Sequence, residues 1–471
     1  MSPLFSFIID SGPLYTYQGY HLAHSLMTHA AAQPADIHVH FTPRADANAQ
    51  NVFRDLGCST HSLQPFGDSR FCNKIAQLDN LLETQSDRIV LLDTDMIAVG
   101  DFTPFLAAET LLAKTVDLGN PAIDTLRRIA SAAAMAALPA MLLTDAGESP
   151  TYLGNCNGGF YSFPRTLLKR IRDQWRRWAT WLLENPAHLH DSGKSDHTDQ
   201  VAMWLAIHMD SIPYQPCPSN LNYFVHMPAH HLYQVDRFPI CILHYHKCLE
   251  VHGLISPGFP LPRTAADAVN RANHQIARNF NNRIFWDWRY NQHPQRGSGV
   301  GSMGKSLELK RRLLSEEQIE SAQSVLDVGC GNLEVMKCFN LRNYLGLDQS
   351  EQALLAARSA RPDWQFRAFD AVRDVVHEAD SIDPADMVIC FEVLIHQETP
   401  ENYHRLIEFL AAKTKKKLIV SGYDSLDPAA ARNHMIFFHE PLHKSLERTN
   451  RFRTIEPIGD HGDVKIYRCE V

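Results

Sequence analysis

Two carboxylates separated by one residue, Asp93 and Asp95, close the apolar run RIVLL. Residues two apart on a strand share a face, so this pair can aim both carboxylates at one point. Convergent acids behind a buried strand repel unless a cation sits between them, and hard oxygen ligands suit Mg2+ or Mn2+. A surface turn at a strand end is the simpler explanation of the pair when it is taken alone. A second group lies in the other half of the chain. SVLDVGCGN sets Asp327, Gly329 and Gly331 behind one strand, GLDQS ends the next at Asp348, and WQFRAFD ends a third at Asp370. Glycines there let the backbone approach a ligand, and an acid closing the following strand can hydrogen-bond a ribose diol. Asp370 can accept from an adenine amino group or cap a helix. ICFEVLIHQ adds Glu392 and His396. Proton abstraction from a hydroxyl needs a base near neutrality, which makes His396 the candidate, with His434 and His439 as rivals. A structural role stays open for each of the three.

These residues need elements to position them. LFSFIID, a helical stretch at Tyr20–Ala32, the alternating IHVHF, then KIAQLDNLLET and RIVLLDTD repeat a strand–helix rhythm that predicts a mostly parallel α/β sheet. The Ala-rich region Phe105–Leu143 reads as helical. YLGNCNGGFYSF reads as a strand around a glycine turn. Leu168, Ile171, Trp175, Trp178 and Leu182 recur at helical spacing and mark the buried face of the helix at Arg165–Leu183. From Ser306 a fresh alternation of helices and strands predicts a second, doubly wound domain. The two are separated by NNRIFWDWRYNQHPQRGSGVGSMG, whose Gly/Ser-rich end has a linker's composition. KTKKK (Lys413 to Lys417) reads as a solvated helix end entering a strand.

A length of 471 residues exceeds one ordinary domain, and 45% hydrophobic with 21% charged residues is a globular composition. A net charge of -8 without a basic stripe argues against nucleic acid as a partner. Ten cysteines show no Cys-x-x-Cys spacing, no basic, apolar leader is visible and no apolar run reaches transmembrane length, so a reduced, cytoplasmic protein is expected. Peripheral membrane contact and oligomeric state stay open.

The ordered series from SVLDVGCGN to FEVLIH resembles the class I S-adenosylmethionine-dependent methyltransferases. Leu333 stands where a dinucleotide fingerprint would have its third glycine, which favours that family over NAD binding. The resemblance implies that Asp327, Gly329 and Gly331 shape a methionine pocket, that Asp348 holds the ribose, and that Asp370 and Glu392 contribute to the cofactor site. It also implies a pre-core lid in the segment carrying Trp286, Arg289, Tyr290 and Gly299. In the first half, the order KIAQLDNLLET, RIVLLDTDMIAVGDF, NGGFYSF, HTDQVAMWLAI, CILHYHK resembles the GT-A glycosyltransferases, closest to family-8-like enzymes. That likeness implies metal ligation by Asp93, Asp95 and a late histidine. His244 is the best match, and His246 lies one strand step beyond it. It further implies donor contacts from Lys74, Asp93, Asn157, Gly158 and Gly159, and an acid–amide pair, Asp199 and Gln200, at the transferred sugar. The family's glycine and Lys-Pro-Trp after that histidine are absent; HYHKCLEVHG stands there, with Lys247 as the one candidate diphosphate contact.

The expectation is therefore an α/β chain of two domains: a GT-A fold over 1–265, a connector and lid over 266–305, and a Rossmann-like methyltransferase fold over 306–471. Its implied cofactors are Mn2+ or Mg2+ and S-adenosylmethionine. Its implied partners are a nucleotide-sugar donor and a glycan or lipid-linked saccharide acceptor, with O-methylation of a saccharide hydroxyl in surface polysaccharide synthesis. The alternatives are a methyltransferase whose first domain only binds the glycan acceptor, and a non-catalytic scaffold.

Overall fold

The computed structural model describes residues 3–227, 239–370, 372, 374, 381–425 and 434–471. The chain forms two units, Met1–Glu250 with Leu254–Asn279, and Val251–Gly253 with Phe280–Val471. The segment expected as a separate connector is thus divided. Its helix Arg263–Arg278 belongs to the first unit, and its helix Asn282–Gln292 belongs to the second.

The strands of the first unit are β1 (Leu4–Ile9), β2 (Ile37–Phe41), β3 (Ser59–Ser62), β4 (Arg88–Leu92), β5 (Met96–Ala98), β6 (Leu111–Thr115), β7 (Met141–Leu143), β8 (Pro150–Tyr152), β9 (Cys156–Pro164), β10 (Tyr214–Pro216), β11 (Tyr223–Phe224) and β12 (Ile242–His244). Seven of them form one sheet in the order β10-β6-β9-β4-β1-β2-β3. Within it β9 runs antiparallel to β4 and β6, and the other pairings are parallel. Every residue of β4 is buried because both faces are covered, which is why RIVLL reads as a continuous apolar run. Ile89 and Leu91 pack into a core with Trp175 and Trp204, while Val90 and Leu92 pack on the opposite face with Phe5, Phe7 and Phe160.

A small sheet, β11-β12-β5, lies beyond the DTD segment. Its β5 and β12 are antiparallel with His244 opposite Met96, so the register itself brings this histidine to the residue after Asp95. The helical expectation for Phe105–Leu143 holds over Ile123–Ala132 and fails at Leu111–Thr115, which is a central strand. LLAKT has helix-forming residues, but burial of all five against β9 outweighs that weak preference. KTKKK likewise lies mostly within a strand, since the preceding helix ends at Lys413 and the strand begins at Thr414.

The second unit has β13 (Val325–Val328), β14 (Tyr344–Asp348), β15 (Gln365–Ala368), β16 (Ala385–Cys390), β17 (Thr414–Tyr423), β18 (Thr454–His461) and β19 (Val464–Glu470). Their order is β15-β14-β13-β16-β17-β19-β18, parallel from β15 to β17, with β19 antiparallel to both its neighbours. The chain runs outward from β13 through β14 to β15, then restarts on the other side at β16. A crevice opens outside the carboxyl ends at such a switch point, and open α/β sheets bind ligands there. Among the described residues no helix is long and apolar enough to cross a membrane.

Candidate active sites

The two DTD carboxylates part company. Asp93 is fixed by its backbone N–H, which donates to the Gly159 carbonyl at 3.0 Å, and its Oδ1 lies 2.5 Å from Lys74 Nζ. Lys74, from the helix Asn73–Leu81, also donates to the Gly158 carbonyl at 2.5 Å. Burial alone would lower the Lys74 pKa, yet the fields of Asp93 and Asp199 leave it raised. Asp95 instead faces two imidazoles, with Oδ1 3.1 Å from His244 Nε2 and Oδ2 3.4 Å from His246 Nδ1. Asp95, His244 and His246 each offer a ligand atom, and these atoms lie within 4.8 Å of one another. Burial raises the Asp95 pKa, but the two histidines outweigh it and hold the carboxyl well below the usual range.

A chain of amides sets the His244 tautomer. Asn222 Nδ2 donates to Asn157 Oδ1 at 2.8 Å, so Asn222 Oδ1 is left to accept from His244 Nδ1 at 2.9 Å. Nε2 of a neutral His244 then carries a lone pair directed at the Asp95 carboxylate. Two acceptors facing each other require a cation or a proton between them, and an amide behind a ligating imidazole is the usual outer support of a metal site. The residues present therefore fit a divalent ion. Asn157 serves this chain and also accepts from the Gly159 N–H at 2.9 Å. Asn222 carries no local sequence signal and was not foreseen.

Lys74, Asp199 and Gln200 converge on Gly158, where an added Cβ would meet Gln200 Cγ at 3.3 Å and both Asp199 Oδ2 and Lys74 Nζ at 3.4 Å. Asp199 sits in the first turn of the helix Thr198–Met209, and its carbonyl accepts from Trp175 Nε1 at 2.7 Å. Burial is the main reason its carboxyl is pushed up to about 7; Lys74 opposes the shift and Asp93 adds to it. Among the described residues its Oδ1 is buried without a hydrogen-bond partner. Lys247 is exposed in the turn after His246.

In the second unit a cavity at the switch point is lined by Asp327, Gly329, Asp348, Asp370, Glu392 and His396, with Trp286, Tyr290, Ser298 and Ser302 contributed by the segment before the core. Gly329 (φ 77°) and Gly331 (φ 55°) hold conformations that favour glycine. A Cβ on Gly329 would come within 2.1 Å of Val393 Cγ2, and one on Gly331 within 2.6 Å of the Tyr290 hydroxyl. Leu333, in place of a third glycine, takes φ 64° while fully buried. Asp348 accepts from the Gly331 and Ser350 N–H groups at 2.9 Å each, and burial still pushes its pKa up to about 6. Asp327 accepts from the Tyr344 hydroxyl at 2.7 Å and is pushed up to about 7, again chiefly by burial. A glycine cradle beside buried acids fits an adenosine cofactor with a cationic methionine end.

Glu392 stands at φ 62°, a strained backbone for a residue with a side chain. It is ion-paired with His461 and, at 2.9 Å, with buried Lys310, which donates to the Gly301 carbonyl at 2.7 Å. Gly301 rather than Gly299 makes the close approach: its added Cβ would fall 1.6 Å from Glu392 Oε2, whereas one on Gly299 would meet Arg289 Nη2 at 3.4 Å. Lys310 and His461 were not foreseen. Asp370 Oδ1 accepts from the Val372 N–H at 3.0 Å, and Asp370 also lines the cavity. Of the three candidate bases, His396 lines the cavity. Its Nδ1 donates to the Met435 carbonyl at 2.6 Å, its ring stands edge-on to Trp286, and burial lowers its pKa. His434 and His439 bond to the carbonyls of His252 and Gln397 at 3.0 and 2.8 Å.

Residues 5–210 match the family described as Rhodobacterales glycosyltransferase domain, and residues 319–453 match a methyltransferase domain family. No curated protein matches the chain. Similar solved structures include the magnesium protoporphyrin IX methyltransferase of Synechocystis PCC 6803 with bound SAM, at 17% identity over 41% of this chain and 97% of that one, TM-score 0.31. Others are the N-methyltransferase NodS of Bradyrhizobium japonicum WM9 with S-adenosyl-L-homocysteine (14%, 39% and 91%, TM-score 0.29) and a SAM-dependent methyltransferase of Archaeoglobus fulgidus (16%, 39% and 100%, TM-score 0.30).

Proposed function

We propose that this chain, which carries a glycosyltransferase domain followed by a methyltransferase domain, performs two successive transfers on one saccharide product. The first moves a sugar from a nucleotide-sugar donor to a glycan or lipid-linked acceptor. The observation that carries it is His244 Nε2, its tautomer set by Asn222, facing the Asp95 carboxylate at 3.1 Å beside the Lys74–Asp93–Asp199 group. Asp95 and His244 would hold Mn2+ or Mg2+, with Asp93 available once it exchanges Lys74 for the donor. Such an ion neutralises charge on the departing nucleoside diphosphate. Asp199 and Gln200, side by side at Gly158, face the transferred sugar.

The second transfer methylates a saccharide hydroxyl. S-adenosylmethionine supplies an electrophilic methyl group when bound in the switch-point cavity. Asp348 accepts from ribose hydroxyls, and Asp327 with the Gly329–Gly331 turn holds the methionine end. His396, donating Nδ1–H to the Met435 carbonyl, keeps the Nε2 lone pair free to take the acceptor's hydroxyl proton. Tyr290, Ser298 and Ser302 close one wall and exclude water. All ten cysteines are free, which suits the reducing cytoplasm, and the paired activities suit surface polysaccharide synthesis.

The test is hydrolysis of a panel of sugar nucleotides by the purified chain with Mn2+, alongside calorimetric binding of S-adenosylmethionine. Turnover abolished by EDTA and by Asp95→Ala supports the first transfer. Cofactor binding with no sugar-nucleotide binding or hydrolysis would leave only a methyltransferase with an acceptor-binding first domain.

A further inference from the structure

The ring of His246 has been brought to Asp95 at a conformational cost. Its φ of 44° is left-handed, which L side chains avoid. The consequence is that the His246 ring stacks on that of His244, with centroids 4.0 Å apart and planes 19° from parallel. Phe224, opposite His244 in the β11–β12 register, stands edge-on to both rings at 4.7 Å. The stacked pair presents Nε2 of one ring and Nδ1 of the other to the two oxygens of a single carboxylate. Among the described residues His246 Nε2 is buried without a hydrogen-bond partner, and the His226 ring stands edge-on to the His246 ring with centroids 4.3 Å apart. The first DTD acid, Asp93, is occupied by Lys74.

We propose that His246 is a third protein ligand, so that Asp95, His244 and His246 form a two-histidine, one-carboxylate seat that binds a first-row transition ion before any donor arrives and discriminates against Mg2+. The proposal rests on the reading of this site as the metal seat of sugar-nucleotide transfer and adds to it a ligand and a selectivity. Imidazole nitrogen suits first-row transition ions, whereas Mg2+ demands an octahedral set of oxygens and gives up water reluctantly. Three protein ligands on one side leave open positions for diphosphate oxygens. Mn2+ is the natural probe, because it accepts both carboxylate and imidazole and is visible by electron paramagnetic resonance.

The experiment titrates the full chain, without nucleotide, with Mn2+ and with Mg2+ by calorimetry, and records nitrogen couplings to bound Mn2+ by pulsed paramagnetic resonance. The expected result is Mn2+ bound at least about tenfold more tightly than Mg2+, with two imidazole nitrogens coupled. In His246→Asn, and in His246→Gln as a second variant, Mn2+ affinity falls about tenfold or more and the count drops to one, while metal-free thermal unfolding is unchanged. One coupled nitrogen in the unmutated chain overturns the proposal without reliance on any variant. Equal Mn2+ affinity in the variants also overturns it. Mn2+ binding that appears only after UDP or GDP is added overturns it too, but leaves the transfer-site reading standing. No Mn2+ binding under either condition removes both.

Discussion

Gly159 and His244 are in contact because one of them has no side chain: a Cβ on Gly159 would lie 2.7 Å from His244 Cε1 and 2.8 Å from Nδ1. The glycine lets β9 pass beneath the imidazole while its N–H holds Asn157, which holds Asn222, which holds the imidazole. Gly159→Ala is expected to displace the ring from Asp95. Metal-dependent sugar-nucleotide hydrolysis should drop at least about tenfold, and overpacking should cost about 1–3 kcal/mol in thermal or denaturant unfolding. Cofactor binding by the methyltransferase domain is the internal control and should not change.

Gly301→Ala tests the wall of the methyl-transfer cavity. The new methyl group would coincide with the Glu392 carboxylate, which is pinned by Lys310 and His461 and cannot swing aside freely. The segment carrying Ser298 and Ser302 must then lift. Calorimetry should show S-adenosylmethionine binding weakened about tenfold or more.

Cofactor affinity should depend on pH through Asp348. Burial pushes this acid up to about 6, and its ionised form is the one that accepts well from ribose hydroxyls. Below about pH 6 the ionised fraction falls roughly tenfold per unit, so the dissociation constant should rise as pH drops from 7 to 5. Asp348→Asn should bind more weakly at neutral pH and lose that slope. A flat profile in the unmutated chain would assign the ribose contact elsewhere.

Asp199 sets function against stability. Its folded pKa, about 7, lies above the ordinary carboxylate value, so folding takes up a proton between roughly pH 4 and 7. The corresponding stability is fully present at low pH and is lost as pH rises through 7, where a buried, half-unpartnered carboxylate must ionise. Asp199→Asn stays neutral. It should unfold at a higher temperature than the unmutated chain at pH 8, match it near pH 4, and have little or no sugar-nucleotide turnover.

His396→Asn should lower methyl transfer about 100-fold or more without changing cofactor affinity, since a base acts on the acceptor's proton. Burial holds the His396 pKa below that of a free imidazole. The acid limb of single-turnover methylation should therefore lie lower than for a free imidazole.

Much of this was legible because the relevant signals are local. A strand covered on both faces must be apolar throughout, so RIVLL and SVLDVG declare themselves, and the acids and glycines closing them mark the edge where ligands bind. The helix with Trp175 and Trp178 buried was readable from its period alone. Leu111–Thr115 was not, because its propensity is overridden by neighbours distant in sequence.

The sequence by itself determined two α/β units, the acid pair after β4 and the acids in order along the second sheet, and it marked a late histidine as a candidate metal ligand. Tertiary structure alone decided which groups share charge. The β5–β12 register delivers His244 and His246 to Asp95, Lys74 claims Asp93, and Lys310 with His461 claims Glu392. The physical reason is range. Apolar period and turn chemistry act between near neighbours in the chain, whereas the state of a carboxylate depends on whatever lies within a few ångströms, and here those partners come from strands and helices far apart in sequence.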